Sequence, residues 1–262
     1  QIALLRNYLT PEEFQAWGWR VPFWLSILLL LVAFKARMAL EETPVFLELA
    51  KNNQKTANPL LDNLRDAQTR KHMFLLFFCI SASGAVLFFC VQVYTAIFLK
   101  TSVKLPSEIV DQLSIYSTLA LFPLTLMAGW LSDKIGRKPV VVSGLFLGAL
   151  FIHPAYQLLQ EFGQANNLGM IALILTILSL ALALVVGPQT ALLAELFPAK
   201  TRNSAATFPH NLAAGWIGGL LPLIVTWLNQ TWGSDVAGLW YPTIFLASGA
   251  IVALFYLPET HK

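Results

Sequence analysis

The sequence GWLSDKIGRK, residues Gly129–Lys138, interrupts two long apolar runs with a cluster of charges. Its charged side chains are those of Asp133, Lys134, Arg137 and Lys138, and its glycines stand at positions 129 and 136. Basic residues beside an apolar run commonly anchor the end of a membrane helix. Anchoring requires only basic residues and does not explain the order of the glycines and charges in this segment. A second interpretation is therefore that the segment takes part in a conformational change.

Apolar residues dominate the whole chain. Of its 262 residues, 56% are hydrophobic and 12% are charged, and the mean hydropathy is +0.64. A soluble domain has about 45–50% apolar and about 25% charged residues. The apolar residues fall in blocks of about 20, the length at which a helix crosses the hydrocarbon core of a bilayer. We therefore predict an integral membrane protein.

Seven membrane spans follow from these blocks. They cover residues 19–38, 73–99, 112–132, 139–159, 168–192, 204–228 and 238–257. The connections are short except for residues 41–72, a polar stretch whose charges alternate in sign. This stretch is the one plausible domain boundary, and its charge pattern suits a short surface helix as well as an irregular linker.

The distribution of lysine and arginine predicts the orientation of the spans. If the stretch 41–72 is cytoplasmic, thirteen of the 17 basic residues lie on the cytoplasmic side and four lie outside. Because basic residues are enriched on the cytoplasmic side, we expect the C-terminus inside and the N-terminus outside. The chain begins with Gln1 and QIALLRNYL, without an initiator methionine or a secretory signal. We therefore expect it to be the C-terminal portion of a longer protein.

The charged loop also carries a family resemblance. GWLSDKIGRK matches the pattern G-x-L-x-D-(K/R)-x-G-R-(K/R), which resembles the signature loop of the major facilitator superfamily of transporters. In that family the loop lies between the second and third spans of each six-span half, and here it has that position after the stretch 41–72. The resemblance implies an all-α membrane protein with a twelve-span fold, of which residues 1–40 end the N-terminal bundle (sixth span), 41–72 form the cytoplasmic linker and 73–262 form the C-terminal six-span bundle.

The resemblance implies a conformational latch, and the residue chemistry suits one. Gly129 permits close helix approach, and Gly136 permits a tight turn. Asp133 can accept hydrogen bonds at a helix N-terminus. The basic side chains can pair with acids or with anionic lipid. A second segment, AELFPAKTRNSA, supplies an acid and a base on either side of Pro198. The expected latch residues are Gly129, Asp133, Gly136, Arg137, Lys138, Glu195 and Arg202.

Three further stretches narrow the resemblance. FQAWGWRVPFWLS, EETPVFLELAK and AELFPAKTRNSAATFPHNLAAGWIGG are similar to the metabolite:proton symporter family, which carries organic acids or zwitterionic osmolytes. Sugar porters share the charged loop and a C-terminal stretch like LPETHK. However, EETPVF lacks their arginine, and only Gln92 stands where they carry a glutamine pair. We expect proton-coupled symport of a small organic solute by alternating access, with a sugar porter as the alternative.

Polar side chains within the spans are the candidates for solute contacts, because such groups are costly in lipid. They are Gln92, Tyr94, Tyr116, Ser117, His210 and Asn211. The tyrosines could instead belong to an interfacial belt, Gln92 and Asn211 could bond a neighbouring helix, and His210 could pack at a kink after Pro209. No Asp, Glu, Lys or Arg lies mid-span after residue 72. Proton coupling therefore falls to His210 or, as we favour, to the preceding half.

Other classes of protein fit poorly. The sequence has no nucleophile–base pair, phosphate loop or metal-ligand cluster, so we expect no enzyme, cofactor or metal. A channel would need a repeated constriction. Seven spans also match the count of a receptor or scaffold protein, but the charged loop has no purpose there. The expected partners are a small solute, protons, the bilayer and the N-terminal half, with no nucleic acid. A bacterial inner membrane fits the family.

Overall fold

The computed structural model describes residues 5, 8–39, 59–197 and 202–260. Within these ranges every regular element is a helix. The chain divides into two compact units, Gln1–Lys55 and Thr56–Lys262. Seven of the described helices are long and apolar enough to cross a membrane, one in the first unit and six in the second. The predicted all-α integral membrane fold is confirmed.

The first unit contains two described helices, α1 (Pro11–Ala16) and α2 (Gly18–Ala39). Thr10 begins α1 with a capping box: its hydroxyl accepts the backbone N–H of Glu13 at 3.3 Å, and the Glu13 carboxylate accepts the N–H of Thr10 at 3.0 Å. The α-helical part of α2, Val21–Ala39, buries no residue. Its side chains are apolar on all sides of the helix, a pattern that suits a membrane span.

The second unit contains seven described helices. They are α3 (Pro59–Arg65), α4 (Ala67–Thr101), α5 (Ser107–Ile135), α6 (Arg137–Gln164), α7 (Leu168–Glu195), α8 (Arg202–Trp232) and α9 (Ala237–Tyr256). Each of the last six contains one predicted span to within a residue at either end. Most of these helices extend a few residues beyond the predicted spans at one or both ends.

The start of α4 illustrates this extension. The carboxylate of Asp66 accepts the backbone N–H of Thr69 at 2.7 Å and caps the helix. The hydrogen bonds from Thr69 lower the pKa of Asp66. As a result α4 begins six residues before the predicted span, and the short α3 precedes it. Residues 59–72, predicted as linker, are thus largely helical, whereas residues 40–58 lie outside the described part of the chain.

Glycines bring α7 close to its neighbours in the core. A Cβ on Gly187 would lie 2.9 Å from the backbone nitrogen of Gly129 on α5, and a Cβ on Gly144 of α6 would lie 2.8 Å from Leu184 Cβ on α7. Larger residues at these positions would push the helices apart. Small residues are the usual means of close helix contact in membranes, where the hydrophobic effect does not drive association.

Two helices of the second unit contain π-helical turns. They lie at Leu76–Ala82 and Phe89–Tyr94 in α4 and at Ala213–Gly218 in α8. In α4 hydroxyl groups reach the carbonyls that such turns leave weakly bonded. Ser83 donates to the carbonyl of Phe78 at 2.8 Å, and Tyr156 of α6 donates to that of Cys90 at 2.7 Å. These bonds explain how α4 tolerates the irregular turns in an apolar setting.

The six spans of the second unit alternate in direction. The segments around 133–138, 195–202 and 258–260 therefore meet at one end of the bundle, called the charged-loop end below. Contacts at the other end, called the opposite end, confirm the alternation. There Lys100 of α4 pairs with Asp111 of α5 at 2.8 Å, and Ser102 donates to Asp235, between α8 and α9, at 3.1 Å.

Candidate functional site

Arg137 is the centre of the charged-loop end. Gly136, with φ +103°, is the single residue that separates α5 from α6. The following side chain, that of Arg137, is only 9% exposed. Its Nη1 donates to Ser132 Oγ at 2.7 Å and to the Asp133 carboxylate, and its Nη2 donates to Glu195 Oε1 at 3.3 Å. One guanidinium thus joins the end of α5 to the end of α7.

Glu259, in the segment that follows α9, caps the N-terminus of α6. Its two carboxylate oxygens accept the backbone N–H groups of Arg137 at 2.9 Å and Lys138 at 3.1 Å. A carboxylate is favoured there because the helix dipole is positive at this end. Asp133, which the sequence suggested could contact a helix N-terminus, pairs with the side chain of Arg137.

Thr260 closes the network. Its hydroxyl donates to Glu195 Oε2 at 2.5 Å, so Glu195 is held by Arg137 on one oxygen and by Thr260 on the other. Four segments of chain therefore meet around one arginine and three carboxylates: the end of α5, the start of α6, the end of α7 and the segment after α9. We call Ser132, Asp133, Arg137, Glu195, Glu259 and Thr260 the Arg137 cluster.

Two predicted latch residues take a smaller part in these contacts. The Nε of Arg202 donates to the carbonyl of Phe197 at 3.1 Å, and its side chain is exposed. Among the described residues Arg202 forms no ion pair with Glu195, which pairs with Arg137. Lys138 joins the cluster through its backbone N–H. Pro198, between the two segments, lies outside the described residues.

The predicted solute-binding residues separate into three places. The first is a cluster toward the opposite end. Gln92 of α4 donates to Ser117 of α5 at 3.4 Å and accepts from Thr118 at 3.3 Å. Ser117 is in turn 3.1 Å from Ser179 Oγ of α7. These four side chains form the Gln92 cluster, and the exposed Tyr116 lies beside it, 3.1 Å from Thr176.

The second place lies nearer the charged-loop end. Nδ1 of His210 in α8 accepts the amide N–H of Gln189 in α7 at 3.3 Å and is 3.3 Å from Ser81 Oγ in α4. Ser81 and Gln189 are 1% and 9% exposed, so three helices share a buried polar contact, the His210 cluster. Asn211, next to His210, is exposed. Along α4, Ser81 and Gln92 are eleven positions apart, which corresponds to roughly 16 Å.

The third place holds Tyr94 alone. Its ring is 3% exposed, and its hydroxyl accepts the amide N–H of Asn229 in α8 at 2.9 Å. It packs against the rings of Phe98 and Tyr156 on the side of α4 that faces α6 and α8. Tyr94 is therefore neither an interfacial belt residue nor a member of the Gln92 cluster.

Comparison with known proteins agrees with this geometry. The sequence model of the Major Facilitator Superfamily matches residues 106–262, which is more than half of the chain and includes the Arg137 cluster. The chain belongs to the major facilitator superfamily. A second model, "Sugar (and other) transporter", matches residues 2–76. The chain is 32% identical over 263 residues to the inner membrane metabolite transport protein YhjE of Escherichia coli strain K12, covering 99% of this chain and 57% of that protein.

Two further relatives are named for osmolytes. The chain is 30% identical to a putative proline/betaine transporter of Staphylococcus aureus strain MSSA476, covering 97% of this chain and 53% of that protein. It is 28% identical to the glycine betaine/proline/ectoine/pipecolic acid transporter OusA of Dickeya dadantii, covering 100% of this chain and 52% of that protein. The chain thus spans about half the length of the curated relatives it matches.

The sequence analysis did not identify every residue of the Arg137 and His210 clusters. Glu259 and Thr260 complete the Arg137 cluster but were not among the expected latch residues. Gln189 was also missed. It is the single amide side chain in α7, the most apolar of the seven spans, with a mean hydropathy of 2.8. A lone amide in such a span is a usable signal, because it needs a buried hydrogen-bond partner.

Proposed function

We propose that the protein to which this chain belongs is a secondary active transporter. It moves a small organic solute, an organic acid or a zwitterionic osmolyte, together with protons, by alternating access. The observation that carries the proposal is the Arg137 cluster, which ties four segments of chain at one end of a helical bundle. The names of the relatives, which include metabolite, proline, betaine and ectoine transporters, support the same solute classes.

In this proposal residues 1–40 end a preceding N-terminal bundle, 41–72 connect the halves and 73–262 form the C-terminal bundle. The side chain of Asp133 is 60% exposed while Arg137 holds it in place. It can therefore accept a second bond from the other bundle when the charged-loop end is closed. Arg137, Glu195 and Glu259 are the fixed base of this latch. Gly129 and Gly136 give it its shape, and Lys138 and Arg202 contribute positive charge.

The solute path follows the polar side chains. The Gln92 cluster and the His210 cluster lie about three helical turns apart along α4 and span the middle of the bundle. We propose Gln92, Ser117, Tyr116, His210 and Asn211 as its contacts with the solute. Because no acidic or basic residue lies mid-span after residue 72, we assign proton coupling to the preceding half rather than to His210.

The charged-loop end is the cytoplasmic end in this proposal, with the C-terminus inside, because most of the basic residues lie there. The membrane is a bacterial inner membrane, in keeping with the name of the Escherichia coli relative. A sugar porter is the second candidate, favoured by the match of residues 2–76 to the sugar transporter model. A function as a seven-span receptor or scaffold would not account for the Arg137 cluster.

Reconstitution of the protein from its complete reading frame tests the proposal. Proteoliposomes receive one candidate solute at a time, with no imposed gradient, and the external pH is recorded. Alkalinisation with an organic acid, proline or glycine betaine is the expected result, because inward symport removes external protons. Counterflow of a sugar without a pH change would transfer the protein to the second candidate. Absence of movement of any solute would contradict both.

A further inference from the structure

A cavity of about 450 Å³ opens at the opposite end of the second unit. The helices α4 and α8 and the loop from α8 to α9 line this open cavity, and its polar lining comes from Tyr94, Thr101, Thr226, Asn229 and the exposed Asp235, among others. The volume lies within the range of small-molecule sites, about 300–1,000 Å³. Neither the Arg137 cluster nor the Gln92 and His210 clusters take part in this cavity.

Asn229 holds the wall of the cavity in place. Its amide N–H groups donate to the hydroxyl of Tyr94 at 2.9 Å and to the backbone carbonyl of Asp235 at 2.5 Å, and its Oδ1 accepts the N–H of Gly238 at 2.6 Å. Gly233, with φ +64°, ends α8 in a left-handed conformation and starts the loop. The loop that carries Asp235 is therefore fixed before any ligand arrives, which limits the entropy lost on binding.

Asp235 supplies a negative charge with spare bonding capacity. Its Oδ1 accepts from Ser102 at 3.1 Å, and its Oδ2 accepts from Gln160 at 3.4 Å, so both partners are neutral. Within the described ranges no Lys, Arg or His lies at ion-pairing distance from it, and the nearby Lys100 is paired with Asp111. A carboxylate positioned by neutral donors at a cavity wall can still bind an ammonium group.

Tyr94 supplies the complementary group. Its hydroxyl oxygen accepts from Asn229, but its own proton reaches no acceptor in the described part of the chain. This buried side chain, 3% exposed, lines the cavity. Because the side chain lines the cavity, this O–H can donate a hydrogen bond to the carboxylate of a bound ligand. Because the same Asn229 nitrogen contacts both Tyr94 and Asp235, the donor and the backbone of the acidic residue are only a few ångströms apart.

We propose that this cavity is a second binding site for a small zwitterion, with the solute carboxylate on Tyr94 and its ammonium group on Asp235. The site rests on the proposed transport function for its role, which is to bind the solute at the end where it enters. It also narrows the solute class, because an organic acid without a positive charge has no partner for Asp235. Thr101 and Thr226 provide further hydroxyl groups in the lining.

Equilibrium binding to the protein made from its complete reading frame tests the site. The purified protein, in nanodiscs of phosphatidylglycerol, is titrated with radiolabelled proline and glycine betaine. Asp235→Asn and Tyr94→Phe are each expected to lower the affinity of one class of binding sites for these two solutes by about tenfold or more. Choline, which has the positive charge but no carboxylate, should depend on Asp235 and be insensitive to Tyr94→Phe. Asp235→Glu retains the negative charge and is the control for Asp235→Asn: if it binds the solutes, the loss in Asp235→Asn comes from the missing charge rather than from a folding defect.

The matched controls are Glu108→Gln, an exposed acid at the same end but outside the cavity, and Tyr256→Phe, an exposed tyrosine at the charged-loop end. Both should bind as wild type. Equal binding by the cavity variants and these controls would overturn the site. Binding that is abolished in nanodiscs of phosphatidylethanolamine, a zwitterionic lipid, would overturn the assignment to a soluble solute. Transport in proteoliposomes is measured separately, so zwitterion binding without transport would refute the proposed function and retain the site.

Discussion

Glu259 accepts the backbone N–H of Arg137 at 2.9 Å, although the two residues are 122 positions apart. This contact joins the segment after the last span to the turn before α6. The carboxylate neutralises the positive end of the α6 dipole, while the Arg137 side chain holds Asp133 and Glu195. Arg137 thus contacts three acidic side chains: its backbone N–H, at the N-terminus of α6, bonds Glu259, and its guanidinium bonds Asp133 and Glu195. The predictions below separate the parts of this arrangement.

Glu259→Ala should destabilise the bundle by about 1 kcal/mol, the usual effect of losing a helix cap. Glu259→Gln should lower the free energy of unfolding by less, because the glutamine oxygen can still accept one N–H although the negative charge is lost. Denaturant titration in detergent micelles measures the apparent free energy of unfolding of the two variants. Equal losses for Ala and Gln would show that packing, rather than the cap, holds this segment.

Gly136→Ala should be more damaging. The residue has φ +103°, where a side chain is strained, and its Cβ would lie 2.5 Å from Glu259 Oε2. We expect a loss of at least about 1–2 kcal/mol and little uptake of solute. Gly215→Ala is the matched control, because a Cβ there meets nothing within 4 Å. If both variants behaved alike in unfolding and uptake, the turn would not depend on glycine.

The spans and the charged loop could be predicted from the sequence for a simple reason. Both are local: a span is a continuous apolar block, and Ser132, Asp133 and Arg137 lie within one short motif. Residues four positions apart on a helix, such as Asp133 and Arg137, are expected neighbours. Glu195 could be included because a second charged segment has the right position between spans.

The remaining contacts depend on distant parts of the chain. Glu259 reaches α6 only because α9 returns to the charged-loop end. The π-helical turn before Thr95 depends on the hydroxyl of Tyr156, which is 66 positions away from the carbonyl that it bonds, that of Cys90. The division of the solute-binding candidates into separate clusters also depends on packing, since sequence shows that a residue is polar but not which helix it faces.

Tyr156→Phe tests this buried contact directly. The hydroxyl donates to Cys90 O at 2.7 Å and is 2.8 Å from Thr95 Oγ1, and the ring is fully buried. Its removal should cost about 1–2 kcal/mol, because Thr95 still satisfies the carbonyl at 3.1 Å. The double variant Tyr156→Phe, Thr95→Val should lose more free energy of unfolding than either single variant. Strict additivity of the two losses in unfolding would indicate that the hydroxyls act independently.

Asp133→Asn should slow or abolish uptake while leaving membrane insertion intact. The variant keeps the shape of the side chain but removes the charge that pairs with Arg137, on a side chain that is 60% exposed. Arg137→Lys should also impair uptake, because one ammonium group cannot reach Ser132, Asp133 and Glu195 with the planar geometry of a guanidinium. Uptake is measured against the amount of inserted protein. Wild-type uptake by Asp133→Asn would refute the latch.

The two predicted latch residues at the end of α7 and the start of α8, Glu195 and Arg202, should differ in their importance. Glu195 accepts from Arg137 at 3.3 Å and from Thr260 at 2.5 Å, whereas Arg202 donates only to the Phe197 carbonyl among the described contacts and is exposed. Glu195→Gln should therefore reduce uptake several-fold more than Arg202→Gln, because it leaves the guanidinium of Arg137 with a single acid. Rates from proteoliposomes of equal protein content provide the comparison. A larger loss for Arg202→Gln would indicate that Arg202 forms its important contact in another conformation of the transport cycle, with Glu195 serving only to fix Arg137.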